Sequence, residues 1–257
     1  MIVYGKNVIS QLENDPSAVE ELYVSSTLKD REFRKKAEVL NLPVVEVPRS
    51  RLDQLTGGAA HNGVAARVRE IPTYSLETLL QKKKNAKGFY IALDGIQDPH
   101  NLGAILRTAD CAGADGVIIT RHHSASLTPA AVKASTGAAY TVPVAVVTNL
   151  SQALKSLKDQ GYWIAGTDMK DARDYRDGMY EEPTVLVIGS EGKGISPLVK
   201  KQCDYIVTLP MHGSVTSLNA SVTAAILMYE VEAARRAGSS GFSRKYSERL
   251  NYGKQYQ

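Results

Sequence analysis

Residues 93–109 read LDGIQDPHNLGAILRTA, and the fold class of the chain can be inferred from this stretch. It starts at the end of an apolar run, passes through a polar turn with Gly95 and Pro99, and continues with the apolar spacing of a helix. An apolar strand followed by a turn and a helix is the first half of a βαβ unit. The stretch therefore predicts an α/β domain whose polar turn lies where ligands bind, at the carboxyl end of a strand.

The same alternation repeats through the rest of the chain. From residue 88 onward, apolar runs without a polar alternation are separated by helical segments, which is typical of strands buried in the parallel sheet of a doubly wound fold. The predicted strands are 89–93, 116–120, 142–147, 162–166, 184–189 and 205–209. The predicted helices are 102–113, 129–135, 151–160, 196–202 and 217–236.

Residues 1–70 predict a separate, smaller α/β unit. Its predicted elements are helices at 6–12 and 30–40 and strands at 21–25, 43–47 and 63–68. Residues 71–87 are weakly patterned, start near a proline and end in a lysine run, so they predict a basic linker. The chain then divides into this unit, the linker, a main domain at 88–237 and a basic tail at 238–257.

The composition excludes several classes of protein. Of the 257 residues, 43% are hydrophobic and 23% are charged, which is ordinary for a globular protein and excludes a disordered chain. No apolar run reaches the roughly 20 residues of a membrane span, and the opening MIVYGK lacks the features of a secretory signal. We therefore expect a cytoplasmic protein with no membrane partner. Cys111 and Cys203 form no CxxC pair, so neither a disulfide framework nor a zinc ribbon is expected.

Positive charge is concentrated in a few places. Residues 71–87 carry four basic and one acidic residue, residues 235–257 carry six and one, and residues 88–234 carry 11 and 15. A further basic cluster consists of Lys29, Arg31, Arg34, Lys35 and Lys36. A single basic run is most often a solvated face, but several in one chain favour a nucleic acid as the partner.

A second polar segment, VIGSEGKGIS at residues 187–196, contains three glycines but matches neither common phosphate-binding motif. A P-loop requires Ser or Thr after its lysine, and Lys193 is followed by Gly194. A dinucleotide fingerprint requires Gly or Ala where Pro197 stands, and it belongs to the first βα turn of a sheet. The segment therefore argues against a nicotinamide dehydrogenase.

A third segment, LPMHGSVTSLNASV at residues 209–222, completes a recognisable set. The patterns DPxNxGAIxRTA, GxExxGxS and PMxGxxxSLNxSVxxAIxxYE occur in this order between residues 93 and 230. Together they resemble the three signature motifs of the SpoU/TrmH family of RNA 2′-O-methyltransferases, in the SPOUT superfamily. The sequence departs mildly from this family at Ala220, where valine is common.

The resemblance implies a fold, a cofactor and a substrate. The C-terminal domain is expected to be a trefoil-knotted α/β parallel sheet that binds S-adenosylmethionine without a metal ion. Residues 1–70 are expected to be similar to ribosomal protein L30e and to bind the RNA substrate, with YGKNV at residues 4–8 as the matching opening. Within the family, the chain most resembles the enzyme that methylates a guanosine of 23S rRNA. We therefore expect methylation of a guanosine 2′-hydroxyl in 23S rRNA.

The resemblance also implies a set of catalytic residues. Asn101 and Arg107 are expected to face the RNA, with Arg107 at the reacting 2′-hydroxyl or at its neighbouring phosphate. A purely structural alternative for Arg107 is an ion pair with Asp110. Arginine side chains stay cationic in proteins, so Arg107 is expected to stabilise a developing alkoxide rather than to act as a general base.

Three further polar residues complete the expected catalytic set. Glu191 is expected either to orient the RNA or to fix Ser217 and Asn219 by accepting their hydrogen bonds. Ser217 and Asn219 are expected to start the last helix, where such residues also serve as N-caps. The cofactor is expected to contact backbone groups near four residues that follow strands or begin the last helix: Thr167, Gly189, Leu209 and Leu218.

No metal site is expected from the sequence, because its histidines are not spaced as ligands. These are His61, His100, His122, His123 and His212. The family resemblance implies a homodimer, and the last predicted helix carries one apolar stripe that indicates either core packing or a subunit seam. The stripe consists of Leu218, Val222, Ile226 and Tyr229.

Two alternatives stay open. The substrate could be a tRNA guanosine or an rRNA adenosine instead of a 23S rRNA guanosine. In a different functional class, the chain could be an RNA-binding protein that has kept the fold without catalysis. The intact set of five polar residues argues against this second alternative.

Overall fold

The structure is a computed structural model that describes residues 1–6 and 16–239 of the chain. The strands of its first sheet are β1 (Ile2–Tyr4), β2 (Val19–Ser25), β3 (Val44–Val47) and β4 (Val64–Val68). Their spatial order is β1-β4-β2-β3. Both β1 and β2 run antiparallel to β4, whereas β2 and β3 are parallel.

Two helices connect the strands of this first sheet. The first, α1 (Arg31–Val39), begins after Asp30, whose carboxylate accepts the Phe33 backbone N–H at 3.0 Å as an N-cap. The second, α2 (Arg49–Thr56), ends at Gly57, which has a φ of +62°. The three predicted strands and the helix predicted at 30–40 are confirmed to within two residues. Neither β1 nor α2 was predicted, and the helix predicted at 6–12 lies almost entirely outside the described residues.

The second sheet has eight strands, and all of its pairs are parallel. They are β5 (Thr73–Tyr74), β6 (Phe89–Asp94), β7 (Gly116–Thr120), β8 (Val144–Val147), β9 (Trp163–Thr167), β10 (Arg173–Asp174), β11 (Thr184–Gly189) and β12 (Tyr205–Thr208). Their spatial order is β10-β12-β9-β11-β6-β7-β8-β5. The six strands predicted from apolar runs are confirmed to within two residues, whereas the two-residue strands β5 and β10 were not predicted.

The second sheet is accompanied by α3 (Leu76–Gln81), α4 (Pro99–Cys111), α5 (Pro129–Ala134), α6 (Leu150–Asp159), α7 (Pro197–Lys200) and α8 (Ala220–Ser239). Helix α4 begins three residues before the predicted start at residue 102. The reason is its cap, because Asp98 accepts the His100 backbone N–H at 2.9 Å and Pro99 occupies the first turn. Helix α7 is shorter at both ends than the predicted helix at 196–202.

The last helix, α8, begins at Ala220 and not at Ser217 as predicted. The Oδ1 atom of Asn219 accepts the backbone N–H of Ser221 at 2.9 Å and that of Val222 at 3.4 Å. Asn219 is therefore the N-cap of α8. Ser217 lies in the preceding loop, so the expectation that it starts the helix is wrong.

The apolar stripe of the last helix is not part of the core. Leu218, Val222 and Tyr229 are 38%, 44% and 50% exposed, so the core interpretation of this stripe is wrong. The buried face of α8 instead consists of Ala224, Leu227, Met228, Val231 and Ala234. The alternative interpretation, a seam between subunits, stays a prediction.

Residues 71–87 differ from the predicted linker because they belong to the second sheet. Thr73 of β5 pairs with Val144 of β8, and Leu76 and Leu79 of α3 are buried in the core. Only two residues of strand and six of helix are formed here, which is too short for a periodic pattern in the sequence.

The two sheets are packed against each other. One hydrophobic cluster includes Val3 and Leu22 of the first sheet together with Val142 beside the second. The Lys133 ammonium of α5 lies 4.6 Å from the centre of the Tyr4 ring and donates a hydrogen bond to the Ala60 carbonyl at 2.8 Å. The first sheet is therefore packed against the part of the chain that carries the three polar segments.

Candidate active site

The carboxyl ends of three adjacent strands, β12, β9 and β11, surround a cleft of about 260 Å³. Open α/β sheets bind ligands at this edge. The cleft brings together the four residues expected to bind the cofactor, Thr167, Gly189, Leu209 and Leu218. It is also lined by Glu191 and Ser217 of the expected catalytic set.

A tight loop after β11 forms one wall of the cleft. Ser190 and Gly194 close it with two backbone hydrogen bonds, from each N–H to the carbonyl of the other residue, at 3.1 and 3.0 Å. Gly189 lies directly beneath, and a Cβ added to it would be 2.2 Å from the carbonyl carbon of Gly194. Only glycine fits at this position without displacing the loop.

A hydroxyl group connects the ends of β9 and β11 at the floor of the cleft. Thr167 Oγ1 donates to the Val187 carbonyl at 3.0 Å and accepts the Gly189 backbone N–H at 3.4 Å. The sequence placed Thr167 near the cofactor, and the structure gives this side chain a definite part in holding the two strand ends together.

The lining of the cleft is apolar with balanced charge. Lys170 and Lys193 are matched in number by two carboxylates, Asp168 and Glu191, and apolar side chains such as Ile188 complete the walls. A polyphosphate would call for an excess of cations. The residues present fit a ligand that combines an adenosine, a sulfonium and an amino acid, whose net charge is small.

Asp168 is fixed at the rim of this cleft. Its carboxylate accepts the Lys200 ammonium at 2.8 Å and the backbone N–H groups of Met169 and Lys170 at 2.6 and 3.2 Å. Desolvation raises the pKa of Asp168, but these hydrogen bonds together outweigh it and hold the pKa below its ordinary value. Asp168 is thus an anion at neutral pH that anchors the backbone after β9.

Three of the predicted catalytic residues form one hydrogen-bonded network beside the cleft. The Asn219 amide nitrogen donates to Glu191 Oε1 at 2.6 Å and to Asn101 Oδ1 at 2.9 Å, and the Asn101 amide nitrogen donates to Glu191 Oε1 at 3.1 Å. Glu191 also accepts the Ala220 backbone N–H at 3.3 Å. The network joins the first turn of α4, the loop after β11 and the start of α8.

Glu191 does not fix Ser217, contrary to one expectation. Among the described residues, the donors to the Glu191 carboxylate are on Asn101, Asn219 and Ala220. Ser217 is exposed and lines the cleft in the loop before α8. Its hydroxyl is therefore available to a ligand rather than committed to the cap.

Arg107 lies apart from the cleft of its own chain. It is exposed on α4, and it is not among the residues that line the cleft. Within the described part of the chain, its side chain makes no ion pair, and Asp110 instead accepts a hydrogen bond from Thr141 Oγ1 at 2.7 Å. The alternative of an Arg107–Asp110 pair therefore has no support.

Two carboxylates that shape the site, Asp94 and Asp168, were not identified from the sequence. Asp94 ends β6 and accepts the Ser196 backbone N–H at 2.6 Å, which holds the far side of the loop after β11. Both carboxylates stand at the carboxyl end of an apolar run, and that position was the available signal.

Comparison with known families decides the class of the protein. A model of the SpoU rRNA methylase family matches residues 88–229, more than half of the chain. The chain belongs to this family. A second model, described as RNA 2′-O ribose methyltransferase substrate binding, matches residues 2–74. S-adenosylmethionine is the methyl donor of this family of RNA methyltransferases.

Relatives of known name extend over nearly the whole chain. The TrmH family protein YacO of Bacillus subtilis (strain 168) is 44% identical over 234 residues, which are 89% of this chain and 94% of the relative. A TrmH family protein of Staphylococcus haemolyticus is 41% identical over 236 residues, 90% of this chain and 94% of that one. The names of both relatives give tRNA and rRNA together as substrates.

Solved structures of the SpoU family have the same fold. The SpoU methyltransferase AviRb from Streptomyces viridochromogenes, in complex with the cofactor AdoMet, is 26% identical with a TM-score of 0.77, and the match covers 92% of this chain and 91% of AviRb. A TrmH/SpoU tRNA-modifying enzyme of A. aeolicus is 30% identical with a TM-score of 0.55, covering 65% of this chain and 84% of that enzyme. The predicted α/β SPOUT fold with an added N-terminal domain is therefore confirmed, and the knot itself stays a prediction.

Two further observations apply to the described residues. No helix among them is long and apolar enough to cross a membrane. They also contain no group of three or more His, Cys, Asp or Glu side chains that could hold a metal ion.

Proposed function

We propose that this SpoU family protein transfers a methyl group from S-adenosylmethionine to the ribose 2′-hydroxyl of a guanosine in 23S rRNA. It would act in the cytoplasm, with residues 1–70 as the RNA-binding domain, residues 88–237 as the catalytic domain and 238–257 as a basic tail. The observation that carries this proposal is that one cleft is lined by Thr167, Gly189, Leu209 and Leu218 together with Glu191 and Ser217.

Each group in the cleft has a part in the proposed reaction. S-adenosylmethionine supplies a methyl group on a positively charged sulfur, and the chain must hold the ribose oxygen in line with it. The loop after β11 and Leu218 would enclose the donor. The hydrogen-bonded network of Asn101, Glu191 and Asn219 would hold the cleft in a fixed position relative to the residues that face the RNA. Ser217 would form a hydrogen bond with the substrate.

Arg107 is proposed to act on the RNA and not on the cofactor. Because its side chain is a permanent cation, it would stabilise the alkoxide that develops as the 2′-hydroxyl loses its proton. Arg107 does not line the cleft of its own chain, and this position is consistent with a role at the cleft of a second copy.

A homodimer is proposed for this reason. The exposed stripe of Val222 and Tyr229 on α8 offers an apolar face for a second copy, and α8 packs beside α4, the helix that carries Arg107. Light scattering should report a dimer for the intact chain and a monomer for a Val222→Glu/Tyr229→Glu variant. Val39→Glu, at a residue 76% exposed on α1, is the matched control and should leave the dimer intact.

A second candidate substrate is tRNA, because the names of the relatives include it and the A. aeolicus enzyme is a tRNA-modifying enzyme. Unmodified 23S rRNA transcript and unmodified tRNA would each be incubated with tritiated S-adenosylmethionine. Primer extension at low dNTP concentration then maps the methylated nucleotide. Transfer to a 23S guanosine supports the first candidate, transfer to tRNA supports the second, and transfer to neither contradicts the proposed function.

Arg107→Ala separates catalysis from binding of the methyl donor. It should abolish transfer while calorimetry shows S-adenosylmethionine affinity within a few-fold of the parent protein. Lys155→Ala, at an exposed lysine on α6, removes the same charge at a residue outside the three motifs and outside the cleft lining, and it should leave both measurements unchanged. If Arg107→Ala lost affinity for the methyl donor to the same extent as it lost activity, Arg107 would instead be assigned to the site that binds the cofactor.

A further inference from the structure

A second cleft, of about 660 Å³, lies between the two sheets on the side away from the methyl-donor cleft. One wall is formed by the end of the first domain and the start of the second sheet, including Arg69, Glu70 and Tyr74. The opposite wall is the segment before β8, residues 139–143. None of the predicted site residues lines this interdomain groove.

The interdomain groove carries an excess of positive charge. Its charged lining residues are three cations, Arg69, Lys82 and Lys84, and one anion, Glu70. The Lys82 ammonium is held 4.7 Å from the centre of the Tyr74 ring, which is a cation–π contact that fixes it at the groove. This balance contrasts with the cofactor cleft, where lysines and carboxylates are equal in number.

The backbone around the groove lysines is held in place by hydrogen bonds. Asp115, which is 1% exposed, accepts the backbone N–H groups of Lys84, Asn85 and Phe89 at 2.6, 2.9 and 2.7 Å. Tyr74 is fixed by the pairing of β5 with β8. A basic segment that the sequence suggests is a linker is therefore a preorganised surface, which lowers the entropy lost when a polyanion binds.

A buried polar atom in the opposite wall adds a second observation. The hydroxyl of Tyr140, a residue that lines the groove, is buried and has no hydrogen-bond partner among the described residues. Buried hydroxyls are normally satisfied by protein or by a bound molecule. Tyr140 therefore leaves one unsatisfied polar atom buried beneath the wall of the groove.

One hydrogen bond connects the wall of the groove to the helix that carries Arg107. Thr141 lines the groove and donates its hydroxyl hydrogen to Asp110, which lies one helical turn beyond Arg107 on α4. A chain of phosphates lying in the groove would thus run from the N-terminal domain towards the residue proposed to contact the reacting ribose.

We propose that the interdomain groove binds the sugar–phosphate backbone of the RNA substrate through Lys82, Lys84 and Arg69. This inference rests on the proposed function, because it takes an RNA as the substrate. It assigns binding of the RNA backbone to residues that lie outside the cofactor cleft. They also lie outside the basic cluster of Lys29, Arg31, Arg34, Lys35 and Lys36.

The test compares two double variants of the same lysine run. Lys82→Ala/Lys84→Ala removes two groove lysines, and Lys83→Ala/Lys87→Ala removes two exposed lysines that do not line the groove. Affinity of the full-length protein for unmodified 23S rRNA transcript and for tRNA is measured over a series of salt concentrations. Loss of two phosphate contacts should lower the log–log salt slope by about 1.4 to 1.8, and affinity at 0.1 M salt by roughly 25- to 60-fold.

The groove variant should show this loss, and the control variant should stay within a few-fold of the parent protein. Lys82→Arg/Lys84→Arg, which keeps both charges, should restore the slope. Calorimetry with S-adenosylmethionine should give equal affinity for all variants, which shows that they are folded. Equal losses in the groove and control variants, or no loss in either, would overturn the proposal.

Two further measurements distinguish RNA binding in the groove from a free-nucleotide site and from a failure of the proposed function. Binding of AMP that disappears in Lys82→Ala/Lys84→Ala, with RNA affinity unchanged, would make the groove a free-nucleotide site and overturn RNA as its occupant. Methyl transfer by the parent protein is measured first, because its absence from both RNAs refutes the proposed function. Intact transfer combined with an unchanged salt slope in the groove variant refutes the groove alone.

Discussion

Replacement of Gly189 by alanine provides a direct test of the cofactor cleft. Gly189 ends β11 beneath the loop that forms one wall of the cleft. The added Cβ would lie 2.2 and 2.4 Å from the carbonyl carbon and oxygen of Gly194 and 2.5 Å from the Ile195 nitrogen. Carbon atoms in contact are ordinarily about 3.5 Å apart, so the loop must move by about 1.3 Å. All three neighbours are backbone atoms, so no side chain can rotate to relieve the contact.

The expected cost follows from what that movement breaks. The two backbone hydrogen bonds between Ser190 and Gly194, at 3.1 and 3.0 Å, close the loop. Each backbone hydrogen bond contributes about 0.5 to 1.5 kcal/mol net, so together they stabilise the closed loop by about 1 to 3 kcal/mol. If the methyl donor binds only the closed loop, its affinity should fall by roughly 5- to 150-fold.

Calorimetry with S-adenosylmethionine measures this loss, and thermal unfolding reports whether the variant is folded. The matched control is Gly238→Ala, which makes the same substitution near the end of α8, outside the three motifs and the cleft lining. A Cβ on Gly238 would have its nearest neighbours at 3.8 Å, which is ordinary contact, and the residue does not need a left-handed backbone. The control should bind the donor like the parent protein. Unchanged affinity in a folded Gly189→Ala variant would show that the loop does not form the cofactor wall.

Two other predictions concern the stability and reactivity of the chain. Asp115→Ala removes a buried carboxylate that accepts four hydrogen bonds. A urea titration should therefore show a free energy of unfolding that is lower by about 3 to 5 kcal/mol. The control variant Asp110→Ala, at an exposed carboxylate, should lower it by less than about 1 kcal/mol. Burial raises the pKa of the half-buried Cys203 thiol to about 12, so Ellman's reagent at pH 8 should modify the exposed Cys111 quickly and Cys203 much more slowly. Two equally fast thiols would contradict the burial of Cys203.

The strands of the second sheet could be predicted because they are buried on both faces. The run at Thr184–Gly189 is buried throughout, and its predicted bounds agree with the structure. The two edge strands, Thr73–Tyr74 and Arg173–Asp174, could not be predicted, because a two-residue polar segment has no hydrophobic period. They form strands only because a longer neighbour offers them backbone hydrogen bonds.

Tertiary contacts, and not the local sequence pattern, determine where the last helix begins. Ser217 and Asn219 are both suitable N-caps, so the sequence alone does not choose between them. Asn219 donates to Asn101, which is 118 residues away in the chain, and to Glu191, which is 28 residues away. These contacts hold Asn219 at the end of the loop, and the helix begins at the next residue.

The position of Arg107 gives the active site its strongest constraint. Asn101 and Arg107 lie on the same helix six residues apart, so an ideal α-helix separates them by about 9 Å along the axis and by about 120° around it. Asn101 contacts the cleft network, and Arg107 therefore projects from another side of α4. Arg107 also does not line the cleft of its own chain. A second copy seated on the exposed α8 stripe would supply the missing arginine, so activity in mixtures of Arg107→Ala and Glu191→Ala chains should exceed that of either variant alone. Failure of the mixture to recover activity, with mixed dimers demonstrated, would mean that each cleft uses residues of one chain.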